Sequence, residues 1–159
     1  LDELVPDGQP CLTVRISYDR NAQILRVVDD AIGMSYEDLE RALHVAMPPL
    51  NRSGRSQYGM GMKTAASWMG NAWTIRTSKL GDDQEHLVEI NVESVASGVS
   101  TIPHVAKPKG KLEHYTVVEV TDHNQKFHGR TIGKIKDFLS SMYREDIRSG
   151  RIRIEWQSN

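Results

Sequence analysis

Two places in this chain combine residue types that could do chemistry. In the first, Ile24, Leu25, Val27 and Val28 are apolar and mostly β-branched, and Asp29 and Asp30 follow them directly. That run reads as a buried strand with carboxylates at its end. An aspartate there loses hydration unless something hydrogen-bonds it. Ala31, Ile32 and Gly33 make a tight turn, Met34 follows, and Ser35 opens a helix. A strand, a carboxylate, a turn and a helix commonly line a ligand pocket. The second place is Tyr58-Gly59-Met60-Gly61-Met62-Lys63. Glycines let a backbone approach a ligand closely, and a helix N-terminus offers free N–H groups and a positive dipole end that favour phosphate. Lys63 in the first turn is unfavourable for the bare dipole, and a bound polyphosphate would reverse that sign. A solvated surface lysine is the competing reading. A Walker A loop is ruled out, because Met62 rather than glycine precedes Lys63-Thr64.

The elements that must position these residues follow from pattern. Leu1 to Val5 reads as the tail of a helix that Pro6, Gly8 and Pro10 stop. Leu12, Val14 and Ile16 alternate with polar residues, and the turn Asp19-Arg20-Asn21 joins them to the Ile24–Val28 strand as a hairpin. Ser35 with Asp38 makes a capping-box start for a helix whose Leu39, Leu43 and Ala46 share a face, and Pro48-Pro49 end it. The polar stretch Leu50–Gln57 reads as a loop. A second helix spans Met62 to Met69, with Gly70 as its C-cap. Trp73, Ile75 and Thr77 alternate in one strand. Val88, Ile90 and Val92 do so in the next, across the turn Gly81-Asp82-Asp83. Ser94 to His114 shows only Ile102 and Val105 as apolar anchors. Tyr115 to Val120 is a strand, and Thr131 caps a helix carrying Ile132, Ile135, Phe138, Leu139 and Met142 on one stripe. Ile152, Ile154 and Trp156 mark a last strand. The order is α+β, with helices on one face of a mostly antiparallel sheet.

The totals exclude several classes. The chain has 159 residues, which suits a single domain. No apolar run approaches a transmembrane span, so no membrane partner is expected. The net charge of −1 gives no electrostatic case for nucleic acid. Cys11 is the only cysteine, which excludes an internal disulfide and suits a reducing compartment. The expected location is the cytoplasm, or the nucleus in a eukaryote. The histidines are scattered without metal-ligand spacing and read mostly as surface residues. The Arg144–Arg153 end interleaves with acids and reads as a solvated face.

Taken in order, the Asp29–Met34 turn and the Tyr58–Lys63 segment resemble the ATP-binding domain shared by DNA gyrase B subunits, ninety-kilodalton heat-shock chaperones, histidine kinases and MutL proteins, the GHKL group. Gly59-Met60-Gly61-Met62-Lys63 followed by Thr64, Ala65 and Ala66 is most similar to the microrchidia and heat-shock-like branch. The Val117–Asp122 strand after Thr116 and the closing amphipathic helix also fit. The resemblance implies a two-layer α/β sandwich of the Bergerat type spanning residues 1–159, as one ATP-binding domain of a longer multidomain protein. It implies that Asp29 accepts from the adenine amino group, that Gly33 lets the backbone pass close to the base, and that Met34 packs on adenine. It implies that Gly59, Met60, Gly61 and Met62 hold phosphates through the glycine turn and the amides after it, that Lys63 adds charge to them, and that Thr116 lies near the adenine-site aspartate. Arg52, Ser53, Gly54, Arg55 and Ser56 would belong to a lid. For each there is a plainer reading: a turn aspartate, a core methionine, a surface lysine, an ordinary strand threonine, a solvated loop.

Three positions depart from the group's pattern. Ala31 stands where a first glycine is usual, Ser56 where the lid end often has glycine, and Tyr115 where glycine often precedes the threonine. If position 31 needs φ > 0, alanine there costs on the order of 1 kcal/mol. The group's catalytic glutamate and its Mg²⁺-binding asparagine belong to a helix before the first strand, and both are expected upstream of Leu1. The expected activity is ATP hydrolysis with Mg²⁺, driving lid closure, ATP-dependent homodimerisation and coupling to other domains of the chain. The rivals are a nucleotide-sensing module without turnover and a sensor histidine kinase catalytic domain.

Overall fold

The computed structural model describes residues 11–44, 61–99 and 101–158. Alternating strands and amphipathic helices build a seven-stranded sheet. Its strands are β1 (Leu12–Asp19), β2 (Ile24–Asp29), β3 (Gly70–Ser78), β4 (Gln84–Asn91), β5 (His104–Pro108), β6 (Tyr115–His123) and β7 (Ile152–Ser158). The strand order is β5-β4-β3-β6-β2-β1-β7, and only the β1–β7 pair is parallel. The helices are α1 (Tyr36–Leu43), α2 (Gly61–Met69), α3 (Val92–Ala96), α4 (Gly129–Met142) and α5 (Arg144–Arg148).

Register sorts the residues of the sheet by face. Trp156, Ile16, Val27, Val118, Ile75 and Val88 are successive partners across six strands, ending at His104 on β5. Tyr18, Leu25, Val120, Trp73 and Ile90 form the next row. These rows make the inner face. Leu39 and Leu43 from α1, Met62, Ala66 and Met69 from α2, and Ile132 and Leu139 from α4 pack into the same cluster. Burying large apolar side chains there stabilises the sandwich by roughly 1.5–3 kcal/mol each. The opposite face carries polar partners: Arg15 pairs with Glu155 at 2.9 Å and Arg26 with Glu119 at 2.5 Å, each pair directly opposite in register. Arg76 reaches Glu85 at 3.8 Å. Such cross-strand pairs suit a solvated face.

The structure corrects several boundaries. Gly70 is not a left-handed C-cap; it is the buried first residue of β3, and a Cβ there would lie 2.4 Å from the Thr121 carbonyl oxygen. It is glycine because β6 passes too close for a side chain. Val92 leaves the strand to start α3, whose N-cap Asn91 accepts from the Ser94 amide at 2.9 Å. Position 131 is not a cap, since α4 begins at Gly129 with His128 before it. Ser94–His114 holds α3 and β5. β5 is fully exposed on the sheet edge, so its residues show no two-sided pattern. Among the described residues no helix is long and apolar enough to cross a membrane. The expected helix tail at Leu1–Val5, the end of the first helix at Ala46 to Pro49, and the Leu50–Met60 stretch lie outside the described residues.

Candidate functional site

One transverse row of the inner face is polar. Val14 on β1 pairs with Asp29, Asp29 with Thr116 on β6, Thr116 with Thr77 on β3, and Thr77 with His86 on β4. Partners in register stand on the same face, so a carboxylate, two hydroxyls and an imidazole line up next to the apolar rows. Asp29 is the last residue of β2. Its Oδ1 accepts the Ala31 amide at 3.1 Å, and burial pushes its carboxyl above the usual carboxylate range. Asp30 does different work. Its Oδ1 accepts the Thr13 amide at 2.7 Å and its own amide reaches the Thr13 carbonyl at 3.3 Å, so it extends the β1–β2 ladder.

The turn after Asp29 is pressed onto the end of β3. Gly33 has φ +72°, and a Cβ there would sit 1.8 Å from the Ser78 carbonyl oxygen. Both the left-handed backbone and the close approach demand glycine. The Leu80 amide donates to the Ile32 carbonyl at 2.8 Å, and the Met34 amide donates to Thr77 Oγ1 at 3.0 Å. His114 Nδ1 lies 2.9 Å from the Ala31 carbonyl, which places a proton on that nitrogen. Ala31 is not among the residues with positive φ, so its replacement of a glycine carries no backbone cost. Ser35 and Asp38 form the expected capping box of α1. Asp38 also takes Lys79 Nζ at 2.7 Å, and that contact holds its carboxyl below the usual range. The turn is therefore bound on one side by β3 and on the other by α1.

Met34 and Met62 are part-buried and pack against the core cluster. Gly61 opens α2. Lys63, one turn in, donates its ammonium to the His44 carbonyl at the C-terminal cap of α1, and burial lowers its pKa. That position is favourable, since a helix C-terminus carries partial negative charge. The space beside Lys63 is a cavity of about 260 Å³ lined by Leu43, Ser67, Trp73, Ile90, Val92 and Ile102. Among the described residues no hydrogen bond or ion pair joins Lys63 to Asp29. Asp29, Gly33, Met34 and Thr116 come together, then, while Lys63 stands against α1. Gly59, Met60 and the Arg52–Ser56 segment lie outside the described residues.

Sequence reasoning missed Thr77. It is fully buried in the centre of the site, its Oγ1 3.0 Å from the Met34 amide nitrogen, 3.0 Å from the Tyr115 carbonyl and 3.1 Å from Thr116 Oγ1. The available signal was a hydroxyl at an inward position of the Trp73-Ile75-Thr77 alternation. It missed His86 too. This residue is buried, not at the surface, with Nδ1 3.2 Å from His104 Nε2. Tyr36 packs against both rings at a tilt, centroids 5.8 and 4.4 Å away. Burial and then the neighbouring imidazole lower the His86 pKa. Among the described residues no three His, Cys, Asp or Glu side chains converge where they could hold a metal ion.

The sequence profile of the family described as histidine kinase-, DNA gyrase B-, and HSP90-like ATPase matches residues 10–126, most of the chain. The chain belongs to this family of ATP-binding domains. No curated protein sequence matches it. Among solved structures it is similar to the ATPase region of Saccharomyces cerevisiae topoisomerase II bound to ICRF-187 (dexrazoxane), at TM-score 0.68 and 14% identity, over 91% of this chain and 42% of that one. It is similar to the Aquifex aeolicus MutL ATPase domain complexed with ADP, at TM-score 0.57 and 14% identity, over 92% and 52%. A second structure of the yeast topoisomerase II ATPase region gives TM-score 0.59 at 14% identity, over 91% and 42%. The chain thus spans about half or less of each of these chains, and they share its fold: a mixed α+β sandwich on a mostly antiparallel sheet.

Proposed function

We propose that Asp29 and Thr116 grip the adenine of ATP while the Gly33–Met34 turn carries the backbone past the base. The observation that carries this is their placement. The carboxylate and the hydroxyl are register partners on the inner face, and Gly33 is held against Ser78 by a backbone that admits no side chain. Gly59 to Met62 and Lys63 would receive the phosphates, which needs Lys63 to exchange the His44 carbonyl for a phosphate oxygen. Arg52 to Ser56 would close as a lid. The Gly-Met-Gly-Met-Lys run supports placement in the microrchidia and heat-shock-like branch.

In the whole protein, ATP would be hydrolysed by water attack on the γ-phosphate, which needs a positioned general base and a metal ion to neutralise phosphate charge. Nucleotide binding would favour the closed, dimerised state over the open one. The ADP in the MutL relative fits the same nucleotide class. The lone cysteine is consistent with a cytoplasmic or nuclear setting.

Titration calorimetry with a non-hydrolysable ATP analogue tests the binding reading. Wild-type protein should bind and Asp29→Asn should lose most of that affinity. Equal affinity in the two would sink the adenine assignment. Phosphate release by the full-length protein, compared with its Asp29→Asn variant, separates an ATPase from a nucleotide sensor without turnover.

A further inference from the structure

We propose that Thr77 is a positioning residue that sets the hydrogen-bond polarity of the base site and so selects a 6-amino purine over a 6-keto purine. This rests on the adenine reading of Asp29 and Thr116. Thr77 is fully buried and does not need to touch the nucleotide. Its hydroxyl has one proton and two lone pairs, and three neighbours surround it. The Met34 amide donates to it at 3.0 Å. The Tyr115 carbonyl at 3.0 Å can only accept, so that contact takes the single Thr77 proton. The contact with Thr116 at 3.1 Å then needs the proton of Thr116.

The consequence falls on the next residue in the row. With its proton turned toward Thr77, the Thr116 hydroxyl presents lone pairs to a ligand. The Asp29 carboxylate, its register partner, also accepts only. Two acceptors side by side match the two N–H groups of an exocyclic amine. They oppose a carbonyl oxygen, and an unmatched polar pair in a buried site is where large discrimination arises. The same Thr77 oxygen holds the amide of Met34, so one side chain orients both the hydroxyl beside the base and the backbone turn over it.

The test is a ratio. Affinities of the full-length protein for non-hydrolysable ATP and ITP analogues are measured for wild type, Thr77→Val, Thr77→Ser, Thr116→Val and the Thr77→Val/Thr116→Val double variant, with Tm recorded for each. Wild type should prefer the adenine nucleotide. Thr77→Val frees the Thr116 proton to donate to a keto oxygen, and the preference should fall about tenfold, the size of one hydrogen bond reversed. Thr77→Ser restores the hydroxyl and should keep the preference within about twofold. In the Thr116→Val background the Thr77→Val effect on the ratio should vanish. If Thr77→Val does not fold, Thr77→Ala makes the same comparison. A Thr77 variant that loses stability or weakens both nucleotides equally, with an unchanged ratio, overturns this role and leaves the adenine site standing. A wild-type protein that binds neither analogue overturns the adenine reading, and this inference with it.

Discussion

At Asp29, stability and binding pull in opposite directions. Its raised pKa means that the folded protein holds the ionised carboxylate at a cost: the folded value lies above the unfolded 3.8, so the neutral form is favoured by folding. Asp29→Asn should therefore fold at least as stably as wild type in urea at neutral pH, while losing nucleotide affinity. A variant that is both less stable and unimpaired in binding would contradict both halves. The same shift gives a pH dependence: affinity should fail on acidification at a pH above the ordinary carboxylate value. Gly33 behaves differently. Alanine there meets a positive φ and a carbonyl oxygen 1.8 Å from its Cβ, so Gly33→Ala should cost more than ~2 kcal/mol in equilibrium unfolding. Of these residues, Asp29 and Gly33 stand out locally as a strand end and a turn glycine, whereas Thr116 is singled out only by the family resemblance, since spacing alone reads it as an ordinary strand threonine. Thr77 was not. Its neighbours Met34, Tyr115 and Thr116 are brought to it by β3–β6 pairing and the turn, and no local pattern records that.

Elements explain what single residues do not. α1 is tied at its start by the Ser35–Asp38 box and Lys79, and at its end by Lys63. Lys63→Ala should loosen the α1–α2 contact by a few tenths to about 1 kcal/mol in nucleotide-free protein. It should also weaken ATP more than adenosine, and equal losses for the two ligands would argue against any phosphate role. Tyr36, at the start of α1, covers His86 on β4 and His104 on β5. The His86 pKa is depressed in the fold, by burial first and by His104 second, while the charge of Asp82 pushes it the other way. The stabilisation by neutral His86 is full above the unfolded value of 6.5 and is lost as pH falls through the lower folded value. Urea midpoints should accordingly drop below pH 6.5 in wild type and drop less in His86→Gln. Parallel curves for the two proteins would show that this histidine does not sense pH. This cluster escaped sequence reading because β5 is an exposed edge strand, where His104 opens the run His-Val-Ala-Lys-Pro and nothing marks its partner across the ladder.

For the molecule as a whole, the arrangement of layers was legible and the closing details were not. Alternation in four of the strands, apolar β-branched runs in two more and apolar stripes on the long helices specify a sheet with one covered face. Chain order specified neither the β1–β7 parallel pair nor that β6 lies between β2 and β3. That insertion builds the polar row, because it sets Thr116 between Asp29 and Thr77. The site is then built from three strands distant in sequence, plus a turn held by two of them, and a ligand that bridges them should stabilise the entire sandwich. A ligand that binds only the folded chain adds about 2.7 kcal/mol at a concentration one hundred times its Kd. For a domain of this size that is a rise in Tm of roughly 5–10 °C. Wild-type protein should show that rise with an adenine nucleotide at such a concentration. Asp29→Asn at the same concentration should show little of it, because its Kd has moved. Thr116→Val should fall between them, having lost one partner of the row and kept the carboxylate. A rise of equal size in all three proteins would mean that the nucleotide binds away from the polar row. A rise in wild type alone would place the binding free energy on the strand crossing that unites β2, β6 and β3.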